Sequence, residues 1–130
     1  MAYYLDTSAL VKLVVSEAET PALREWLAEA DRDPVSCDLA RTELLRAVRR
    51  AAPDRAVRAR EVLDSITLLE VTTSTYEAAG RLDPAILWTL DAVHLAAALD
   101  LGDDLDGLVT YDHRLGAAAS SNGVSVTSPT

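Results

Sequence analysis

Four acidic residues stand at positions where a carboxylate can do chemistry: Asp6, Glu43, Asp91 and Asp112. Asp6 and Asp112 each follow a short apolar, β-prone run, and Asp91 opens a stretch rich in Ala and Leu. Acids gathered in one crevice repel one another and raise one another's pKa values unless a cation lies among them. Mg²⁺ favours oxygen ligands, commonly one or two carboxylates together with water and substrate phosphate oxygens. The four acids therefore indicate a metal site suited to phosphoryl chemistry.

Three of these acids also have a simpler explanation, because Asp is a favoured N-cap residue. Asp6, Asp91 and Asp112 each stand at or near a predicted helix start, so each alone could be a helix cap. Glu43 differs because it lies inside a helix, roughly 80° from the centre of the apolar stripe, where no cap is needed. A carboxylate at the edge of a buried face needs a partner.

Neighbouring polar residues have less specific interpretations. Ser8 and Thr110 flank the acids, and their hydroxyls are suited either to bond a carboxylate, water or phosphate oxygen, or only to cap an element. His94 is predicted to be packed or capping rather than a ligand, because Mg²⁺ favours oxygen. His113 is predicted to be exposed or near substrate. Cys37 is predicted to be a small buried hydrophobe, since nothing nearby in the sequence supplies a basic partner for a nucleophile.

The elements that must position these residues alternate between strand and helix. Short β-prone runs predict strands over residues 3–5, 34–37, 66–71, 107–111 and 123–126. Helical spacing and cap residues predict helices over residues 9–15, 21–30, 40–51, 72–82, 90–101 and 114–120, with a further helix ending near residue 64.

This alternation predicts an α/β fold, a three-layer α/β/α sandwich with a central, mainly parallel sheet and right-handed crossovers. In such sheets the functional crevice lies at the carboxyl ends of the strands. If the strands before Asp6 and Asp112 are parallel, both acids lie at the same edge and converge.

Composition limits the classes of protein that remain. The chain has 130 residues, 49% of them apolar, which is enough for one folded domain over residues 1–130. One cysteine excludes an internal disulfide and favours a reducing compartment, so a cytoplasmic location is expected. No apolar run approaches the roughly 18 uncharged residues that cross a bilayer, so no membrane association is expected.

Charge is uneven along the chain. Twelve basic residues against 21 acidic ones make the net charge −9, which argues against a general nucleic-acid binder that works by counterion release. Residues 41–60 are the exception, with seven arginines against Glu43 and Asp54, a local charge of +5. Arginine suits bidentate recognition of phosphate or carboxylate, but a solvated helix face explains the pattern equally well. The candidate contact residues within the segment are Arg41, Arg46, Arg49 and Arg50.

Four short motifs, in order along almost the whole chain, resemble the PIN-domain family and, more narrowly, the VapC toxins of VapBC toxin–antitoxin systems. They are Tyr4-Leu5-Asp6-Thr7-Ser8-Ala9-Leu10, Leu39-Ala40-Arg41-Thr42-Glu43-Leu44, Leu90-Asp91-Ala92-Val93-His94-Leu95-Ala96 and Val109-Thr110-Tyr111-Asp112. The resemblance implies a PIN domain and an endoribonuclease dependent on Mg²⁺ or Mn²⁺. By motif, Asp6, Glu43 and Asp91 correspond to the family's three core acids and Asp112 to the fourth, with Thr110 at the adjacent hydroxyl position.

The resemblance also implies a mechanism and partners. One or two metal ions held by the acids would support in-line attack of water on an RNA phosphodiester, leaving a 5′-phosphate and a 3′-hydroxyl. The expected partners are RNA, a VapB-type antitoxin that crosses the active-site groove, and a second copy of the chain in a homodimer.

Other classes remain to be weighed against this one. A catalytically inactive PIN-like module whose acids only recruit a basic partner peptide is the main alternative. A phosphoacceptor receiver domain needs a lysine near its acidic pocket, and the only lysine here is Lys12 in the first helix. A dehalogenase-like phosphatase needs a second acid two residues after Asp6, where this chain has Ser8.

Overall fold

Five parallel strands form the central sheet of the protein, in a computed structural model that describes residues 1–130. The strands are β1 (Ala2–Leu5), β2 (Asp33–Cys37), β3 (Thr67–Leu69), β4 (Leu105–Val109) and β5 (Val126–Thr127). They lie in the order β3-β2-β1-β4-β5, and every neighbouring pair is parallel. The chain thus adds β2 and β3 on one side of β1 and then returns to add β4 and β5 on the other. The order reverses between β1 and β4, which is where open parallel sheets form their crevice.

Seven α-helices cover the sheet. They are α1 (Thr7–Val14), α2 (Thr20–Leu27), α3 (Leu39–Ala51), α4 (Ala56–Ser65), α5 (Thr73–Arg81), α6 (Thr89–Leu99) and α7 (His113–Ser121). Helices α1 to α4 pack on one face, and α6 and α7 pack on the other. The predicted three-layer α/β/α sandwich is therefore confirmed, with a sheet that is parallel throughout. None of these helices combines the length and apolar character that spanning a membrane requires.

Strand β1 is buried on both faces, because successive side chains point to opposite sides of a strand. Leu5 packs in the core beneath α1 to α4, whereas Tyr4 packs in the core beneath α6 and α7, and neither is exposed to solvent. Burial on both faces is typical of the central strand of a parallel sheet. The strand that carries Asp6 at its end is thus fixed from both sides.

Three predicted strands are shorter or shifted in the structure, and the one predicted over residues 107–111 is β4 at Leu105–Val109. The prediction for residues 66–71 is confirmed only over Thr67–Leu69, because β2 is their one neighbour in the sheet and Cys37, its last residue, pairs with Leu69. The prediction for residues 123–126 is displaced to Val126–Thr127, because the backbone N–H of Gly123 still bonds the end of α7 at Ser120. Strands at a sheet edge take their length from the partner rather than from their own propensity.

Candidate active site

Asp6 lies where β1 passes into α1, beside the end of β4. Its Oδ2 accepts a hydrogen bond of 2.7 Å from the Thr110 hydroxyl, and its Oδ1 accepts bonds from the Ser8 hydroxyl at 2.6 Å and the Ala9 backbone N–H at 3.1 Å. Burial raises the pKa of the Asp6 carboxyl above its ordinary value, although these three donors act to lower it. The predicted contact of Ser8 and Thr110 with a carboxylate is confirmed, and Asp6 is also the N-cap of α1.

Asp112 follows β4 and begins α7 as its N-cap. Its Oδ1 accepts hydrogen bonds from the backbone N–H groups of Arg114 at 2.8 Å and Leu115 at 3.2 Å. Its own backbone N–H donates to the Thr110 hydroxyl at 3.0 Å, and that hydroxyl in turn donates to Asp6. The Thr110 hydroxyl therefore links the Asp6 carboxylate to the backbone of Asp112, so the prediction that both acids lie at one edge of the sheet is confirmed, as are their capping roles.

Glu43 lies on α3 with 22% of its side chain exposed. Its Oε1 accepts a hydrogen bond of 2.7 Å from the Thr7 hydroxyl and a second, very short one from Nε2 of His94. Burial alone would raise the pKa of Glu43, but the hydrogen bond and charge of His94, helped by Thr7, hold it below its ordinary value. The sequence predicted that this acid needs a partner, and the structure identifies the partner as His94.

His94 is a buried residue of α6 with 2% exposure. Its Nδ1 lies 2.7 Å from the Tyr4 hydroxyl and 3.9 Å from Sγ of Cys37. Burial disfavours the imidazolium, but Cys37 and Glu43 outweigh that cost and raise the pKa of His94 to about 10. The prediction of a packed histidine is confirmed.

The prediction that Cys37 is a small buried residue is confirmed, but the reason given for it, that no basic partner lies nearby, is wrong. The fold brings the end of β2 against α6, so His94, 57 positions away in sequence, lies beside the thiol. Burial raises the pKa of the Cys37 thiol, but the bonds and charge from its neighbours, His94 first, lower it below the ordinary value overall. The thiol itself is fully buried.

Asp91 lies in the first turn of α6, at its third residue. The N-cap position belongs to Trp88, so the interpretation of Asp91 as a helix cap is wrong. No protein donor bonds its carboxylate. Burial raises the pKa of Asp91, and the negative charges of Asp112 and, less strongly, Asp6 and Glu43 raise it further. The four acids therefore share one electrostatic environment, as the sequence predicted.

The oxygens that the protein leaves free suit a hard cation. Oε2 of Glu43, Oδ2 of Asp112 and both oxygens of Asp91 accept no hydrogen bond from the protein. No group of three or more Asp, Glu, His or Cys side chains is close enough to hold a metal ion by itself. Mg²⁺ does not require such a group, since it binds one or two carboxylates and completes its shell with water and phosphate oxygens. This donor set therefore fits Mg²⁺ or Mn²⁺.

Two of the predicted contact arginines lie beside the acids. Arg46 and Arg50 of α3 line an open groove of about 470 Å³ together with Thr7, Glu43 and Leu90. Arg46 and Arg50 are four residues apart, a spacing that puts two side chains on the same side of a helix. The groove thus combines two guanidinium groups with one of the four acids.

The other arginines of residues 41–60 have a different setting. Arg41 forms an exposed ion pair with Asp38 at 3.4 Å, and Arg58 forms another with Glu61 at 3.4 Å. Arg49 is exposed and does not line the groove. Exposed pairs of this kind contribute little to stability.

Two side chains that hold the acids were not singled out from the sequence. Thr7 bonds Glu43, and its only signal is its position directly after Asp6. Tyr4 bonds His94, and its signal is the alternation of β1, which sends Tyr4 to the face opposite Leu5. Both contacts depend on packing between distant elements, so local sequence cannot assign them.

Comparison with known proteins places the chain among relatives of similar length. A family model described as the PIN domain matches residues 3–120. The chain is 42% identical over 130 residues to "Ribonuclease VapC47" of Mycobacterium tuberculosis strain CDC 1551 / Oshkosh, covering 97% of this chain and 96% of the relative. It is 45% identical over 129 residues to "Ribonuclease VapC46" of M. tuberculosis strain H37Rv, covering 98% of each.

Solved structures share the fold at low sequence identity. The crystal structure of M. tuberculosis VapC20, described as a Sarcin-Ricin loop cleaving toxin, has a TM-score of 0.77 at 18% identity and covers 98% of this chain and 99% of its own. VapBC2 from Rickettsia felis, bound to a DNA fragment from its promoter, has a TM-score of 0.71 at 15% identity with full coverage of both chains. A toxin–antitoxin complex from Klebsiella pneumoniae has a TM-score of 0.70 at 20% identity, covering 98% of each chain.

Proposed function

The chain belongs to the PIN domain family, and on that premise we propose that it is a metal-dependent endoribonuclease, the toxin of a VapBC-type toxin–antitoxin system. Relatives named as VapC ribonucleases support the ribonuclease activity over the full length of the chain. The observation that carries the metal dependence is the set of carboxylate oxygens that accept no hydrogen bond from the protein, namely Oε2 of Glu43, Oδ2 of Asp112 and both oxygens of Asp91.

The residues of the site have different roles in the proposed reaction. Glu43, Asp91 and Asp112 offer free carboxylate oxygens to Mg²⁺ or Mn²⁺, and Asp6 is the buried acid at the end of β1, with both of its oxygens already bonded by the protein. Bound divalent ions supply neutralisation of phosphate charge and activation of water, as in other phosphodiester-cleaving enzymes. Thr110 links the Asp6 carboxylate to the backbone of Asp112 by bonding both.

The arginine groove supports two expected partners. Arg46 and Arg50 present guanidinium groups beside Glu43, which suits an RNA backbone that reaches the acids from α3. The same groove suits an antitoxin segment whose acidic side chains pair with these arginines and whose basic side chain pairs with the acids of the site. A homodimer completes the assembly that we propose for the toxin.

RNA cleavage with and without Mn²⁺ tests the proposal. Wild type, Asp6→Asn, Glu43→Gln and Asp91→Asn are incubated with labelled total RNA in EDTA and in Mn²⁺. Each site variant is expected to cleave at least about 100-fold more slowly than wild type, which corresponds to about 2.7 kcal/mol of transition-state stabilisation. Asp64→Asn, an exposed acid on α4, is the matched control and is expected to cleave like wild type.

The same assay separates the alternatives. Cleavage that is equal in EDTA and Mn²⁺, or that is undiminished in all three site variants, would contradict a metal-dependent nuclease. A wild type that leaves RNA intact in Mn²⁺ yet binds basic peptides would instead support the inactive binding module.

Replacing Arg46, Arg49 and Arg50 together by Gln is expected to weaken RNA binding and flatten its dependence on salt. An unchanged salt slope would assign these arginines to an ordinary solvated helix face.

A further inference from the structure

The two oxygens of Glu43 have different surroundings. Oε1 accepts hydrogen bonds from both Thr7 and His94, whereas Oε2 accepts none from the protein. Two donors on the same oxygen, from two different helices, fix the rotation of the carboxylate as well as its position. The protein therefore settles which oxygen of Glu43 remains available to a ligand.

His94 is in turn held by its own neighbours. The Tyr4 hydroxyl lies 2.7 Å from Nδ1, and the two rings pack edge to face with centroids 5.8 Å apart. Both Tyr4 and His94 are almost completely buried, so neither side chain has room to turn. A hydrogen-bonded chain thus runs from β1, through α6, to the carboxylate on α3.

We propose that His94, fixed by Tyr4, is a positioning residue that orients Glu43 and leaves Oε2 as the oxygen that binds a divalent cation. This inference rests on the nuclease proposed above. His94 is not itself a ligand, because Tyr4 and Glu43 occupy its two ring nitrogens. Residues that orient metal ligands commonly change metal affinity by about 10- to 100-fold when they are replaced.

Direct measurement of Mn²⁺ binding tests the inference apart from catalysis. The free Mn²⁺ signal in electron paramagnetic resonance gives the dissociation constant of each purified variant. His94→Gln is expected to weaken Mn²⁺ binding by about 10-fold or more. Tyr4→Phe, which removes one neutral hydrogen bond and keeps the ring, is expected to weaken it by about threefold. Tyr3→Phe is the matched control, because Tyr3 lies on the same strand and packs on Trp26, and its binding is expected to be unchanged.

A double-mutant cycle distinguishes positioning from a general structural role. If His94 acts through Glu43, then His94→Gln has no further effect on Mn²⁺ affinity once Glu43→Gln is present. Effects that multiply in the double variant would overturn the inference, as would an unchanged affinity in folded His94→Gln. If His94→Gln does not fold, Tyr4→Phe replaces it in the cycle with the same two outcomes.

The failure of the proposed function has a different signature. A wild type without measurable Mn²⁺ affinity, or one whose affinity survives both Glu43→Gln and Asp91→Asn, would contradict the metal site itself. A wild type whose Mn²⁺ affinity is weakened in those two variants, but is unchanged in both His94→Gln and Tyr4→Phe, would leave the nuclease intact and reject only the role of His94.

Discussion

The two strand-end acids and the two helix acids of the site are held in different ways. Asp6 and Asp112 each bond the backbone of the helix that follows them, and one hydroxyl, that of Thr110, joins them. Glu43 is instead bonded by residues distant in sequence, and Asp91 by none. The first pair thus caps helices as well as contributing to the site, whereas neither member of the second pair caps its own helix.

Because of this contrast, the effect of each acid on the stability of the fold can be distinguished from its role in the reaction. An N-cap carboxylate stabilises its helix whether or not a ligand is bound. An acid such as Asp91, whose pKa is raised by burial and then by Asp112, opposes folding when it is ionised. Substitutions that preserve or remove the acceptor oxygen are therefore expected to act differently in the two pairs.

The largest expected effect is on stability at the strand ends. Asp112→Ala is expected to lower the free energy of unfolding by about 1 to 2 kcal/mol, because α7 loses its cap. Asp6→Ala is expected to lose at least as much, because the buried Thr110 hydroxyl also loses its acceptor. Asp112→Asn keeps its one bonded acceptor oxygen and is expected to remain close to wild type, whereas Asp6→Asn keeps the cap acceptor but loses the acceptor for Thr110 and is expected to lie between wild type and Asp6→Ala. Urea unfolding in EDTA measures these differences.

The Ala and Asn variants of Asp91 are the comparison for the unfolding experiment on Asp6 and Asp112. Ala and Asn at position 91 are expected to be nearly equal in stability, because no protein donor bonds this carboxylate. If Asp91→Ala were as unstable as Asp112→Ala while Asp91→Asn kept the stability of wild type, Asp91 would behave as a helix cap. The strand-end acids and the helix acids would then not differ in how they affect stability.

The strand-end pair could be predicted from sequence because its signals are local. A β-prone run, an aspartate and a helical stretch follow one another directly at Asp6 and again at Asp112. Strand alternation with helices then predicts parallel pairing, which brings both acids to one edge. The structure adds only the identity of the bridging hydroxyl, Thr110.

The helix pair was predicted less completely because its setting depends on packing. Glu43 was predicted to need a partner and His94 to be packed or capping, but the two residues are 51 positions apart in sequence and meet only in the folded chain. Asp91 was open to interpretation as a cap because the helix begins after Trp88, which is not a favoured capping residue. Neither fact has a signal in the local sequence.

A smaller effect is expected in the pH dependence of the Glu43–His94 pair. The pKa of His94 is raised to about 10, so the stability from its charge is complete below its ordinary value of 6.5 and is lost as pH rises through about 10. The pKa of Glu43 is lowered, so its share is present above 4.5 and is lost as pH falls through the folded value. The pair is therefore expected to stabilise most between pH 4.5 and 6.5.

Melting temperatures of wild type and Glu43→Gln in EDTA measure this window. Gln keeps an acceptor for His94 but removes the charge. The difference between the two proteins is expected to be larger near pH 6 than near pH 9.5, with Tyr4, Cys37 and Asp6 as the other titratable groups near the ring. A difference that grows with pH would reject the charged pair.

The smallest effect concerns Asp91 without and with metal. Its place in the first turn of α6 favours a negative charge by about 0.3 to 1 kcal/mol through the helix dipole, whereas burial and the neighbouring acids oppose that charge. The pKa of Asp91 is raised, so the opposing effects are the larger ones, and ionisation of this acid reduces stability as pH rises through its folded pKa.

Asp91→Asn is therefore expected to melt at the same temperature as wild type or slightly higher in EDTA at pH 7, while it abolishes cleavage. Millimolar Mn²⁺ binds the folded state and is expected to raise the melting temperature of wild type by mass action, and to raise that of Asp91→Asn less. Thermal melts of both proteins in EDTA and in Mn²⁺ make the comparison, with Asp64→Asn as the control for loss of an exposed charge. An Asp91→Asn variant that is less stable in EDTA and responds to Mn²⁺ like wild type would make Asp91 a structural residue. The site would then consist of the strand-end pair and Glu43. Asp91 would belong with the acids that stabilise the fold, although it is the acid that no protein donor bonds.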